Sequence, residues 1–233
     1  MAKPPFLVTD QRWLLQYTWS VTKNQPRTTA RPRLDPTAVV NAALELLDEK
    51  GADAVSLRGT AERLGVRMNT VLWHAKTKAR LLELMAEAIV AEVRFSDLPE
   101  APAERVRELA RRYRRSLLAH RDGAAVVAGT YAAEPATLGF ADHVVAALLS
   151  TGLDERRAAW TFWSIQYLTL GLTQEEQALR ASDEEHTLGP ALADGSYPAL
   201  DRVARHMEDT AFDERFEFGL DQLLRPLREA EEG

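Results

Sequence analysis

Residues 64–78 read LGVRMNTVLWHAKTK, and the fold turns on this stretch. Gly65 follows a short apolar-periodic segment, where a tight turn needs positive φ. Val66 then tucks inward, and a second short helix is expected from Met68 to His74. Upstream, Ser56 is placed to cap a helix running to Leu64. Two short helices joined by a Gly-containing turn make a helix-turn-helix. Val71 should point back at Leu64 and Val66 to hold the pair together.

Working outward, LDPTAVVNAALELLDEKG (residues 34–51) predicts a preceding helix. Asp35 can accept from free N–H groups, Pro36 suits the first helical position, and Leu34 can staple onto Val39. Gly51 supplies the stop. After the turn motif a fourth helix is expected from Lys78 to about Phe95, halted by Pro99. Beyond it, apolar periodicity predicts helices at 102–120, 122–130, 136–150, 154–180, 198–207 and 211–229. Residues 182–198 read as one long polar loop. No segment alternates apolar and polar residues long enough for a strand. The fold class is therefore all-α: a three-helix head at 34–79 and a larger helical region at 80–233. Residues 1–33 form a Pro- and Arg-bearing extension.

Composition narrows the function. The 233 residues are 45% hydrophobic and 27% charged, as in an ordinary globular chain. No run approaches the roughly 18 apolar residues that span a bilayer. Asp10, Gln11 and Arg12 interrupt the N-terminal apolar residues, so no signal peptide is expected. With no Cys there is no disulfide framework or thiolate metal site. A cytoplasmic location without membrane association is the expectation. The net charge of −6 is unevenly spread. Residues 1–80 carry thirteen Lys and Arg against seven Asp and Glu, and the rest carries sixteen against twenty-eight. A basic module that meets an anion and an acidic module with another task fit that split.

Within the basic module, residues near the start of the second motif helix should face base edges in the major groove. These are Arg67, Met68, Asn69 and Thr70. Asn pairs bidentately with adenine, Arg with guanine, and a Thr methyl meets the thymine methyl. Arg58 is a second candidate for guanine. Trp73 fits two readings, a core ring or a phosphate clamp beside His74, Lys76 and Lys78. Arg31 and Arg33, with Arg27, fit either an arm in the minor groove or a solubilising tail.

Residues 34–89 resemble the DNA-binding domain of the TetR family, most closely its tetracycline-repressor branch through WHAKTK and LLELM. HRDGAAVVAGT (120–130), YLTLGLTQEEQ (167–177) and FDERFEFGLDQLL (212–224) are similar to that branch's regulatory domain. The resemblance implies a homodimer in which each subunit has a DNA-reading head and an effector-binding, dimerising core. It places base readers at Arg58, Arg67, Met68, Asn69 and Thr70. Backbone contacts fall on Ser56, Leu72, Trp73, His74 and Lys78. The branch has Gln-Pro-Thr-Leu-Tyr where this chain has Met68 to Leu72, so a different operator is expected.

By the same resemblance the effector cavity is lined by Arg94, Leu109, Tyr113, Val127, Tyr131 and His143, with Trp163 and Gln166 as looser members. That lining suits a flat, largely apolar effector such as an antibiotic or biosynthetic intermediate. Val127 and Arg94 stand where the branch has magnesium-associated histidines, so neither a metal nor another cofactor is expected. Dimerisation is assigned to two apolar stripes, Trp160–Trp163–Tyr167–Leu170 and Phe212–Phe216–Leu220–Leu223–Leu227; burial inside the monomer would explain one of them, and a two-fold four-helix interface explains both.

No catalytic residue emerges, since G-x-S-x-G, H-E-x-x-H, G-x-G-x-x-G and Walker A patterns are absent. His120 and Asp122 sit at a helix end and read as capping. Two functions stay open: a ligand-released repressor, and an activator or DNA-binding protein without a small-molecule effector.

Overall fold

In the computed structural model, the described residues are 34–130, 133–181 and 187–231, with side chains described to 227. Every regular element among them is helical, without a strand. Helix α1 (Pro36–Lys50) starts as its sequence requires: Asp35 Oδ1 accepts from Thr37 N at 3.2 Å. The Gly51 N–H closes it by donating to Leu47 O at 2.7 Å. A short 3-10 turn (Ala52–Ala54) leads to α2 (Leu57–Arg63), α3 (Met68–Leu72) and α4 (Lys78–Ala91). Beyond these lie α5 (Pro102–Leu118), α6 (Gly123–Ala128), α7 (Pro135–Ser150) and the long α8 (Glu155–Ala181). Three single turns follow, α9 (Gly189–Leu192), α10 (Pro198–Asp201) and α11 (Ala204–Met207), before α12 (Phe212–Glu231).

Residues from Asp35 onward pack as one compact unit. Helix α4 is the strut within it, packing on α1 at one side and on α6 and α7 at the other. Its apolar face explains why: Leu81, Met85, Ala86, Ile89 and Val90 are all buried.

Four expectations change. Helix α4 stops at Ala91, not near Phe95. Val93 turns into the core, Asp97 adopts a left-handed φ of 54°, and Arg112 of α5 takes the exposed carbonyls. Its guanidinium donates to Arg94 O at 2.8 Å, Ser96 O at 2.5 Å and Asp97 O at 3.2 Å. The helix expected at 198–207 breaks at Arg202 and Val203, and part of the expected loop forms α9. The apolar stripe of α12 is not free for a partner. Phe212, Phe216, Leu220 and Leu227 are buried within the chain, where α12 packs on α5 and α8.

An arginine ladder on α5 fastens that packing. Arg107 reaches Glu217 at 3.0 Å and Asp221 at 2.5 Å, Arg111 reaches Glu217 at 2.6 Å, and Arg114 reaches Asp213 at 2.5 Å. The hydrogen bond from Arg111 holds the Glu217 carboxyl below its usual range. Burial opposes that shift, and Arg107 adds to it. A carboxylate with a depressed folded pKa stabilises the fold above its unfolded pKa and loses that contribution as pH falls through the folded value. Wild-type Tm should therefore fall more steeply than that of Glu217→Gln as pH drops below about 4.5. Parallel Tm curves in a pH series would show that the ladder is not coupled to acid stability.

Candidate nucleic-acid interface and effector core

The reading surface is assembled by local rules. Ser56 Oγ accepts from Gly59 N at 3.0 Å, and Thr60 Oγ1 donates to Ser56 O at 2.8 Å, which fixes the start of α2. Gly65 takes φ 63°, and Val66 N reaches back to Ala61 O at 3.0 Å. That turn aims α3, whose Val71 is fully buried as expected. Ser56 is thus occupied as a cap, with its side chain half-buried in the head.

The opposite side of α3 faces solvent. Arg67, Met68 and Asn69 are exposed, and Thr70 is half-buried. Trp73 decides between its two readings: at 86% exposure it is not core. His74 and Leu72 are half-buried, while Lys76 and Lys78 are exposed. Asn69, Leu72, Trp73 and Lys76 line a surface recess of about 320 Å³. Arg58 bridges to Glu62 at 2.9 Å, one turn along α2. Such an exposed pair is worth ~0–1 kcal/mol, so an anion or a base can displace it. Lys78 opens α4, but Thr77 is the cap, with its Oγ1 accepting from Arg80 N at 3.0 Å. The arm residues Arg31 and Arg33 lie outside the described residues.

The eight effector candidates are placed differently from one another. Leu109 and Tyr113 are buried in α5, and the Tyr113 ring stacks on Phe140 of α7 at 4.6 Å. Burial pushes the Tyr113 phenol well above its ordinary pKa. Val127 on α6 is half-buried. His143 is exposed on α7 and stacks on Phe95 at 4.0 Å, and its Nδ1 lies 2.7 Å from Gly139 O. Trp163 is exposed, whereas Gln166 is half-buried with its Oε1 unpartnered. Tyr131 lies outside the described residues. Arg94 lines a polar recess of about 470 Å³ with Glu92, Asp97, Glu108, Arg112 and Arg115, which includes none of the other candidates.

The turn between α5 and α6 does more than the capping expected of His120 and Asp122. Asp122 caps no N–H of its own helix, contrary to expectation. Its Oδ2 instead accepts from Ala52 N, at the end of α1, at 2.9 Å. His120 sits between Asp48 of α1 and Glu92, with its ring nitrogens 3.1 Å and 3.0 Å from their carboxylates. The signal available in sequence was the HRDG run, but its partners lie about 70 residues away.

Known proteins match both halves of this architecture. The family described as "Bacterial regulatory proteins, tetR family" matches residues 39–85. The family "Tetracyclin repressor-like, C-terminal domain" matches residues 97–230, more than half of the chain. The chain belongs to the TetR family. A tetracycline repressor protein of class G from Vibrio anguillarum is 35% identical over 196 residues, 82% of this chain and 92% of that one. A solved structure of a possible TetR family transcriptional regulator from Streptomyces coelicolor A3(2) is 38% identical, with a TM-score of 0.76. It covers 83% of this chain and 98% of that one. A TetR variant from Acinetobacter baumannii AYE in complex with minocycline is 34% identical, with a TM-score of 0.66, covering 84% and 97% respectively.

As a TetR-family member, the chain is a helix-turn-helix transcriptional regulator and not an enzyme. Among the described residues no helix is long and apolar enough to cross a membrane.

Proposed function

We propose that this TetR-family protein is a homodimeric repressor that a small, flat and largely apolar effector releases from operator DNA. The solvent-facing row Arg67, Met68 and Asn69, continued by Trp73, Lys76 and Lys78, carries the reading. Base-reading groups stand first and phosphate-binding groups follow, as docking in a major groove requires. In this reading residues 34–79 are the operator head and 80–233 the effector and dimer module. The basic extension at 1–33 supplies an arm through Arg31 and Arg33.

The switch needs two states that an effector binds unequally. Helix α4 supports this role because it packs on α1 of the head and on α6 and α7 of the core. The minocycline complex of a relative supports a small-molecule effector. Val127 and Arg94 supply no neutral imidazole, so effector binding here is independent of magnesium. An effector that releases the operator should therefore do so equally in magnesium and in EDTA, read by fluorescence anisotropy. Loss of release in EDTA would restore a metal-bridged ligand.

The operator reading is tested on a sequence selected in vitro from random duplex DNA. Asn69→Ala should relax the preference at one adenine by about tenfold, the worth of one bidentate base contact. Lys78→Ala should weaken every sequence alike and lower the salt slope by about one. An unchanged preference in Asn69→Ala would remove Asn69 from the base readers.

A further inference from the structure

The turn joining α5 to α6 is held from one side and holds on the other. Gln177, six turns along α8, grips it through both ends of its amide. Its Nε2 donates to Leu117 O at 3.0 Å and His120 O at 2.8 Å, and its Oε1 accepts from Ala124 N at 3.1 Å. The turn has little other freedom. Asp122 is left-handed at φ 55°, and a Cβ on Gly123 would collide with the Leu117 carbonyl oxygen. From this fixed turn three groups reach the reading head. Asp122 accepts from Ala52 N, Arg121 N donates to Asp48 Oδ1 at 3.0 Å, and His120 faces Asp48.

We infer that Gln177 is a positioning residue for operator binding: by fixing the turn at 117–124 it sets the seat of α1, and couples α8 to the head through that turn. The inference rests on the operator reading of α2 and α3 for its functional half, and on the hydrogen bonds alone for its structural half. The hydrogen bonds of Gln177 go to the turn, so its effect passes through the turn. A tilt or slide of α8 moves three hydrogen-bonded atoms of the turn together. A packing contact alone would let them slip.

The test uses the full chain and the shape-matched Gln177→Met, which keeps volume and removes the amide. Amide hydrogen exchange in 117–124 and 48–54 should rise about tenfold, with 212–224 unchanged, because opening is local. Affinity for the selected operator should fall about fivefold to tenfold, with base preference retained, because the head loses preorganisation. Asp122→Ala should reproduce the exchange in 48–54, and Asp122→Asn, which keeps an acceptor for Ala52 N, should restore it. Adding Gln177→Met to Asp122→Ala should cost less than the two changes summed, since both act through one turn. Wild-type exchange at 48–54 in Gln177→Met, or an equal rise in 212–224, would overturn the inference. If the wild-type chain selects no DNA sequence, the operator reading fails, while the link to α1 stands or falls on the exchange data.

Discussion

Replacing Glu176 by Ala should cost about 3 kcal/mol of stability, whereas replacing Glu176 and Arg114 together by Leu and Met should cost almost nothing. Arg114 and Glu176 are both buried, at 6% and 4% exposure, and meet at 2.6 Å between α5 and α8. Removing Glu176 alone leaves a guanidinium out of water with Asp213, itself largely exposed, as its remaining carboxylate partner. The Arg114 Nε has no partner even in the intact site, and the guanidinium lies 5.1 Å from the Phe216 ring. The single variant therefore exposes the desolvation cost that the pair offsets, and the double variant removes that cost with the charges. Urea unfolding decides it: a shifted midpoint at constant m for Glu176→Ala, and a midpoint near wild type for the double. A single-variant change within about 0.5 kcal/mol would mean that Asp213 carries Arg114 unaided.

What could be read in advance followed the range of each interaction. Helices α1 and α2 were legible because Asp35, Ser56 and the turn at Gly65 act within three or four residues of where they stand. Long-range partners were not. The end of α4 is set by Arg112, sixteen to eighteen residues on, so apolar periodicity alone ran the helix too far. Periodicity along α12 announced a buried face without naming what buries it, and α5 and α8 of the same chain do so. Arg107 and Arg114 are buried because their helix is covered on more than its apolar face. Within the solvent-facing row of α3 and its flanks every candidate occupies one local unit, which is why sequence placed it together. The described effector candidates come from four helices and one connecting segment. Their grouping depended on a resemblance, and packing separates buried Tyr113 from exposed Arg94 and His143.

Tyr167→Glu, with Trp163→Glu as its companion, should convert the protein to a monomer at micromolar concentration and weaken operator binding at least about 100-fold. The reason begins with exposure. Trp160, Trp163 and Tyr167 are 60%, 42% and 68% exposed on one helix, and Phe218 of α12 is 67% exposed. Trp163 stacks on Tyr167 at 5.8 Å and meets the buried Phe162 edge-on at 5.5 Å, which ties the exposed pair to the core. With the α12 stripe buried inside the chain, this exposed aromatic surface is the one the proposed homodimer would use, in a four-helix contact of α8 and α12 with their symmetry mates. A carboxylate at its centre places two like charges across the two-fold axis and desolvates both. Each monomer then meets a single half-site, and the gain from binding two linked half-sites disappears. Since these side chains face solvent within the chain, circular dichroism should stay near wild type, which separates lost assembly from unfolding. Sedimentation of both variants as dimers would move Trp163 and Tyr167 out of the interface.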